Sequence, residues 1–178
     1  RESVFDYFAN LLFDRASEAT RRILLSIAFL PRITASMAVA LSDHPAAPAM
    51  LEDLFRRHLF TDRRPGPEPV YEFHALFRDF LRMRARATLG TDALEHLVTR
   101  TADALDVARD VDSAMDLRLG HGQFHAACRV ILAEAGSQLR DGRRRTLLRW
   151  IDALPDAVRD TEPWIVYWQG RARLQTEP

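Results

Sequence analysis

Residues 70–84 change period in mid-course, and few folds accommodate that. Val70, Glu72 and His74 alternate with Tyr71 and Phe73, the two-residue period of an extended segment. From there the apolar residues Leu76, Phe77, Phe80 and Leu81 recur at helical spacing, with Arg78, Asp79, Arg82 and Arg84 mostly off the stripe. A strand running straight into an amphipathic helix puts His74 at the junction. First-turn amides of a helix have no intrahelical partner and point beyond its end, where they suit an anion. His74 is therefore placed to read a phosphate.

The flanking sequence fits a winged helix. Phe5, Phe8, Ala9, Leu12 and Phe13 mark a helix over residues 3–15, and Ser17 can cap a second one carrying Ile23, Leu24, Ile27 and Ala28 up to Pro31. Thr34 can cap a third through Leu41, and Pro48 suits the start of a fourth with Leu51, Leu54 and Phe55. Residues 59–63 then read as extended, and Arg64-Pro65-Gly66-Pro67-Glu68-Pro69 is a turn cluster before the strand at 70–74. Helices followed by such a hairpin predict a winged helix with a two-stranded wing over residues 1–90. After Leu89-Gly90 no strand signal returns. Residues 91–109, 111–119, 124–139, 143–154 and 162–174 read as successive helices, with Ala102, Ala114, Ala126 and Ala127 as points of close approach. Residues 91–178 are thus expected to form antiparallel helical hairpins, the start of a TPR-like α-solenoid, and the fold class is mainly α.

Charge and composition narrow the chemistry. The 25 basic residues balance 25 acidic ones, and every basic residue is arginine. The balance argues against broad capture of nucleic acid or anionic membrane. Without lysine a Walker A motif cannot be built here. Cys128 is the single cysteine, which fits a reducing, cytoplasmic setting and leaves no thiolate metal site in one copy. The longest apolar run, residues 23–30, is too short to span a bilayer. No paired carboxylates or activated nucleophile stand out, so this segment is expected not to be an enzyme. The abrupt start at Arg1 and the ending Gln175-Thr176-Glu177-Pro178 read as a piece of a longer protein.

Several stretches together resemble one known family. They are Val4-Phe5-Asp6-Tyr7-Phe8, Leu30-Pro31-Arg32, Tyr71-x-Phe73-His74-x-Leu76-Phe77-Arg78-x-Phe80-Leu81-Arg82, and Thr146-Leu147-Leu148-Arg149-Trp150-Ile151-Asp152-Ala153-Leu154-Pro155. In family order they resemble the large ATP-dependent, LuxR-type transcription regulators of the MalT-like group, members of the signal-transduction NTPases with numerous domains (STAND). The resemblance implies a segment holding the winged helix and the start of the helical-repeat sensor. It would lie between an upstream nucleotide-binding domain and downstream repeats, with ATP or ADP bound by the parent and no cofactor in the segment itself. It also implies that His74 touches the phosphate of bound ADP. Phe73 and Ala75 depart from the Met-His-Asp form of animal and plant relatives.

The remaining candidates follow from residue type. Arg78 and Arg82 can clasp carboxylates of an adjoining domain, as guanidinium suits them bidentately, although a charged stripe is also what a solvated face looks like. Trp164 and Trp168 share a helical face and can offer a surface to a small-molecule or protein effector. His121 and His125 lack a third metal ligand and a continuous helix between them. A DNA-binding winged helix would place Glu52 and Asp53 against phosphates, so direct DNA contact is not expected. The preferred function is a regulatory, signal-relaying segment of a transcription activator. The alternative is a helical-repeat scaffold for protein partners with no nucleotide role, and a third reading, set behind both, is a DNA-binding winged helix with a repeat appendage.

Overall fold

The computed structural model describes residues 4–174, with side chains from Tyr7 onward. Ser3, the side chain of Phe5 and residues 175–178, named above, lie outside that range. Two compact units divide after Ala108.

The first unit contains α1 (Val4–Arg15), α2 (Glu18–Ser26), β1 (Ile33–Thr34), α3 (Ala35–Ser42), α4 (Ala47–Arg56), β2 (Thr61–Arg64), β3 (Val70–Phe73), α5 (Ala75–Thr88) and α6 (Thr91–Val107). Caps set the starts. Ser17 Oγ accepts from the Thr20 amide at 3.1 Å, and Thr34 Oγ1 from the Met37 amide at 3.2 Å. Pro48 falls in the first turn of α4, where its missing N–H costs nothing. The α4 end is a full Schellman turn: the His58 amide donates to Phe55 O and the Leu59 amide to Leu54 O, with His58 left-handed at φ 53°.

One expectation is extended and two are corrected here. The two-stranded wing of β2 and β3 is present, and β1 joins it in the order β1-β3-β2, because Ile33 and Thr34 pair antiparallel with Tyr71 and Val70. Two residues are too few to show alternation, and the extended backbone at Thr34 serves both the strand and the α3 cap. Helix α2 ends at Ser26, well before Pro31, and the Ser26 hydroxyl bonds back to Arg22 O. Leu76 leaves the apolar stripe and is 61% exposed, whereas Phe77, Phe80 and Leu81 are buried together with Tyr71 and Phe73.

A row of rings ties the wing to the helices. Phe60 and Phe73 each lie 5.3 Å from Phe77, Phe77 lies 6.2 Å from Phe80, and Phe80 lies 5.9 Å from Phe13 on α1. Helix α6 packs on α3. Leu97, Val98, Ala102 and Leu105 of α6 are buried, and Arg100 bonds Asp43 at 3.0 and 3.2 Å while also donating to Ala40 O. The change in sequence character falls at Gly90, whereas compactness keeps α6 with the first unit.

The second unit contains α7 (Val111–Gly120), α8 (Phe124–Arg140), α9 (Arg144–Asp152), α10 (Asp156–Arg159) and α11 (Pro163–Leu174). Consecutive α7, α8 and α9 contact one another across three-residue connections, and α11 returns against α8 and α9. Short connections between contacting helices make these pairs antiparallel. Gly122 and Gly142 stand at φ 73° and 72° in the turns after α7 and α8, again closing Schellman bonds. The core is Met115, Ala127, Cys128, Ile131, Leu147, Trp150, Ile151 and Ile165. Among the described residues no helix is long and apolar enough to cross a membrane.

Candidate functional site

His74 is the N-cap of α5, with extended backbone and a side chain that makes no capping bond. Its amide donates to Phe60 O at 2.9 Å, its carbonyl accepts from Arg78, and its ring meets Phe60 edge-on at 6.4 Å. Phe60 itself is left-handed at φ 51°, so a strained residue fixes where His74 sits. The imidazole Nε2 lies 3.3 Å from Asp62 Oδ2 on β2, with the histidine side chain half exposed. The first turn of α5 holds no acid. Its amides and the half-exposed imidazole therefore face the same end of the helix, where an anion meets no opposing carboxylate except Asp62.

The arginines of α5 lie largely on their own domain. Arg82 donates from Nε to Ala28 O at 3.3 Å, lies 3.7 Å from Asp79 and sits over the Phe29 ring at 5.9 Å. Burial, then the charge of Arg78, draws its pKa down, with Asp79 opposing and Arg86 adding to the effect. Arg84 bonds Asn10 and stacks on Phe13 and Phe80. Arg78 Nε is shut off from solvent without an acceptor among the described residues.

The wing is held by a second polar cluster. Tyr71 Oη donates to Glu52 Oε2 at 2.8 Å, and Arg56 and Arg63 lie 2.9 and 3.6 Å from the same carboxylate. The tyrosine hydroxyl, then Arg56, holds Glu52 below the usual carboxylate range, while burial, then Glu52, pushes the Tyr71 phenol up. Arg63 also lies over Phe55, Arg64 pairs with Glu72, and Arg57 with Asp53. Each of these arginines is thus paired with a carboxylate of its own domain.

The winged-helix domain model of MalT matches residues 9–93. Over this stretch the chain is similar to the MalT winged-helix domain. The HTH-type transcriptional regulator MalT of Vibrio cholerae serotype O1 is 30% identical over 86 residues, 48% of this chain and 10% of that protein. Its namesake in Vibrio campbellii is 31% identical over 78 residues, 44% of this chain and 9% of that protein. The matched stretch thus spans about a tenth of either relative.

The winged-helix domain also holds a groove that sequence reasoning missed. It encloses about 480 Å³ between α1 and α4, walled by Phe8, Leu11, Leu12, Met50, Leu54 and Phe60. Its signal was the apolar arc of α1, wider than one stripe needs. Asp62 was missed too; the register pairing Thr61 with Phe73 brings it to His74. In the second unit Trp150 is fully buried, whereas Trp164 is 62% exposed. Trp164, Tyr167 and Trp168 form one ring cluster at 5.5 and 5.1 Å, with Arg171 over Tyr167. His121 and His125 are separated by left-handed Gly122, and no cluster of three metal-binding side chains occurs among the described residues. Cys128 is buried, which pushes its thiol pKa up.

Proposed function

We propose that this chain is the regulatory, signal-relaying segment of a longer ATP-dependent transcription activator of the STAND type, coupling nucleotide state to effector or partner binding. The observation that carries the reading is His74, which opens α5 half exposed, free of any capping role, beside first-turn amides with no acid among them. These residues fit the phosphate end of ADP. They fit no more than that, since a chain without lysine supplies no Walker A motif. ADP would supply only negative charge at that point.

The residues act as follows. In the resting form His74 exchanges Asp62 for the phosphate, and the α5 amides share the charge. Both contacts hold the MalT-type domain against an adjoining nucleotide-binding domain. Loss of the contact frees the winged helix, a population shift with this domain as the moving element. The TPR-like second unit relays an effector or partner signal, with Trp164, Tyr167 and Trp168 as its contact surface. The segment carries out no catalysis of its own and works in the cytoplasm, where Cys128 stays a thiol. Direct DNA contact falls to another part of the protein, consistent with the engaged wing arginines.

The test is an in vitro transcription assay of the full-length protein. His74→Ala should activate without effector, and Asp62→Asn should deepen the resting state by releasing the imidazole to the phosphate. If His74→Ala needs effector as the wild type does, the reading fails.

A further inference from the structure

The groove between α1 and α4 receives one helical face from each side. From α1 come Phe8, Leu11, Leu12 and Arg15, at i, i+3, i+4 and i+7. From α4 and its C-cap come Met50, Asp53, Leu54 and Arg57 at the same spacing. At about 100° per residue, each set falls within an arc of about 100°. Each face begins apolar and ends in an arginine. The volume of about 480 Å³ lies within the range of roughly 300–1,000 Å³ that small-molecule sites occupy.

The two arginines differ in what holds them. Arg57 has an acid one turn back, Asp53, at 3.3 Å. The corresponding position of α1 is Leu11, and Arg15 makes no hydrogen bond or ion pair among the described residues. Asp14, its neighbour in sequence, lies 3.8 Å from Arg84 instead. The groove therefore carries one positive charge in excess, on Arg15. Beside it, where α1 turns into α2, the Thr20 hydroxyl sits 2.9 Å from Ser17 Oγ, the one neutral hydrogen-bonding side chain among the described lining residues. At the other end of the α1 face Phe8 is 51% exposed, though large and apolar. An apolar cavity with one unpaired cation in its wall suits an amphipathic anion, whose tail leaves water while its head gains a charged partner.

We propose that this groove binds a small amphipathic monocarboxylate, its acyl or aryl tail against Phe8, Leu12, Met50 and Leu54 and its carboxylate on Arg15 beside Thr20. Guanidinium offers a carboxylate two parallel N–H donors. A neutral apolar molecule would leave Arg15 unpaired, and a chain of phosphates would set its charges against leucines and Asp53. Phe60 also walls the groove, and its carbonyl accepts from the His74 amide at 2.9 Å. A bound tail thus touches the residue that positions His74, although binding itself needs neither His74 nor ADP.

The test is calorimetric titration of the 178-residue chain with octanoate and with octanamide, its uncharged counterpart. Octanoate should bind, and octanamide about three- to tenfold more weakly, the worth of one partly exposed charge-assisted contact. Arg15→Gln should bring octanoate down to the octanamide affinity and leave octanamide unchanged, which a merely structural loss would not do. Phe8→Ser, at an exposed position, should weaken both ligands alike, and Met50→Trp should exclude both by filling the groove, with melting temperatures showing that each variant is folded. Absence of octanoate binding, equal binding of the two ligands, or an Arg15→Gln variant that still discriminates between them would overturn the proposal. Wild-type binding by both folded groove variants, Phe8→Ser and Met50→Trp, would overturn it as well, since the ligand would then sit elsewhere.

Discussion

At position 58 a histidine occupies the left-handed site of a Schellman turn that glycine fills after α7 and α8. Its side chain is exposed, so little packing opposes a change. His58→Gly should stabilise the protein by about 0.5–1 kcal/mol, read as a raised melting temperature, because the Cβ strain disappears. Phe60, equally left-handed, should not gain from the same change, as its ring packs on Phe77. The Tyr71–Glu52 bond gives a pH signature. Glu52 titrates lower folded than unfolded, so its stabilisation is complete above the ordinary carboxylate value of about 4.3 and is lost as pH falls through the folded value. Tyr71 titrates higher folded, so its share is present in full below about pH 10 and is lost as pH rises through its folded value. Tyr71→Phe should lower the melting temperature at neutral pH and flatten both limbs of the pH profile. Melts at both extremes that keep the wild-type slopes would contradict this. Of these residues the sequence made His74 legible, since a change of period marks a junction locally. Asp62 and Glu52 were not, because their partners lie across a hairpin register and 19 residues away.

Local chemistry decided which elements could be read. Ser17 and Thr34 announce their helices because the capping oxygen lies within three residues of its amide donor. Strand β1 could not announce itself; its two residues become a strand only through pairing with β3. Leu76 misled for a related reason, since helical spacing does not say where the partner surface of a helix ends. Helix α8 contains Gly136 without a turn to justify it. A Cβ there would meet Trp168 Cη2 at 3.7 Å, an ordinary contact, and Arg140 Nη1 at 3.3 Å, the mobile end of a long side chain. Gly136→Ala should therefore stabilise by about 0.5–1 kcal/mol through helix propensity. A loss of stability on thermal or urea melting would mean that the approach of Trp168 to α8 is tighter than these distances indicate.

Over the whole molecule, the stretch similar to the MalT winged helix and the compact unit that contains it do not end together. The family match stops at residue 93, yet α6 buries Leu97, Val98, Ala102 and Leu105 and locks Arg100 to Asp43 and Ala40 on α3. Burial of each of Leu97, Val98 and Leu105 is worth about 1.5–3 kcal/mol. A fragment of residues 1–108 should therefore melt cooperatively and at a higher temperature than residues 1–90, in which α3 loses the helix packed on it. Equal melting temperatures would make α6 an appendage rather than part of the first unit. The composition shift at Gly90 hid this, because α6 reads like the helices after it while its apolar face is used by the helices before it. The central claim, that His74 reads nucleotide state, is tested most directly by the ADP content of the intact longer protein after purification. The account predicts that the wild type retains ADP and that His74→Ala, folded to the same melting temperature, has lost most of it. Equal ADP content in the two proteins would contradict the account and leave His74 as a partner of Asp62 alone.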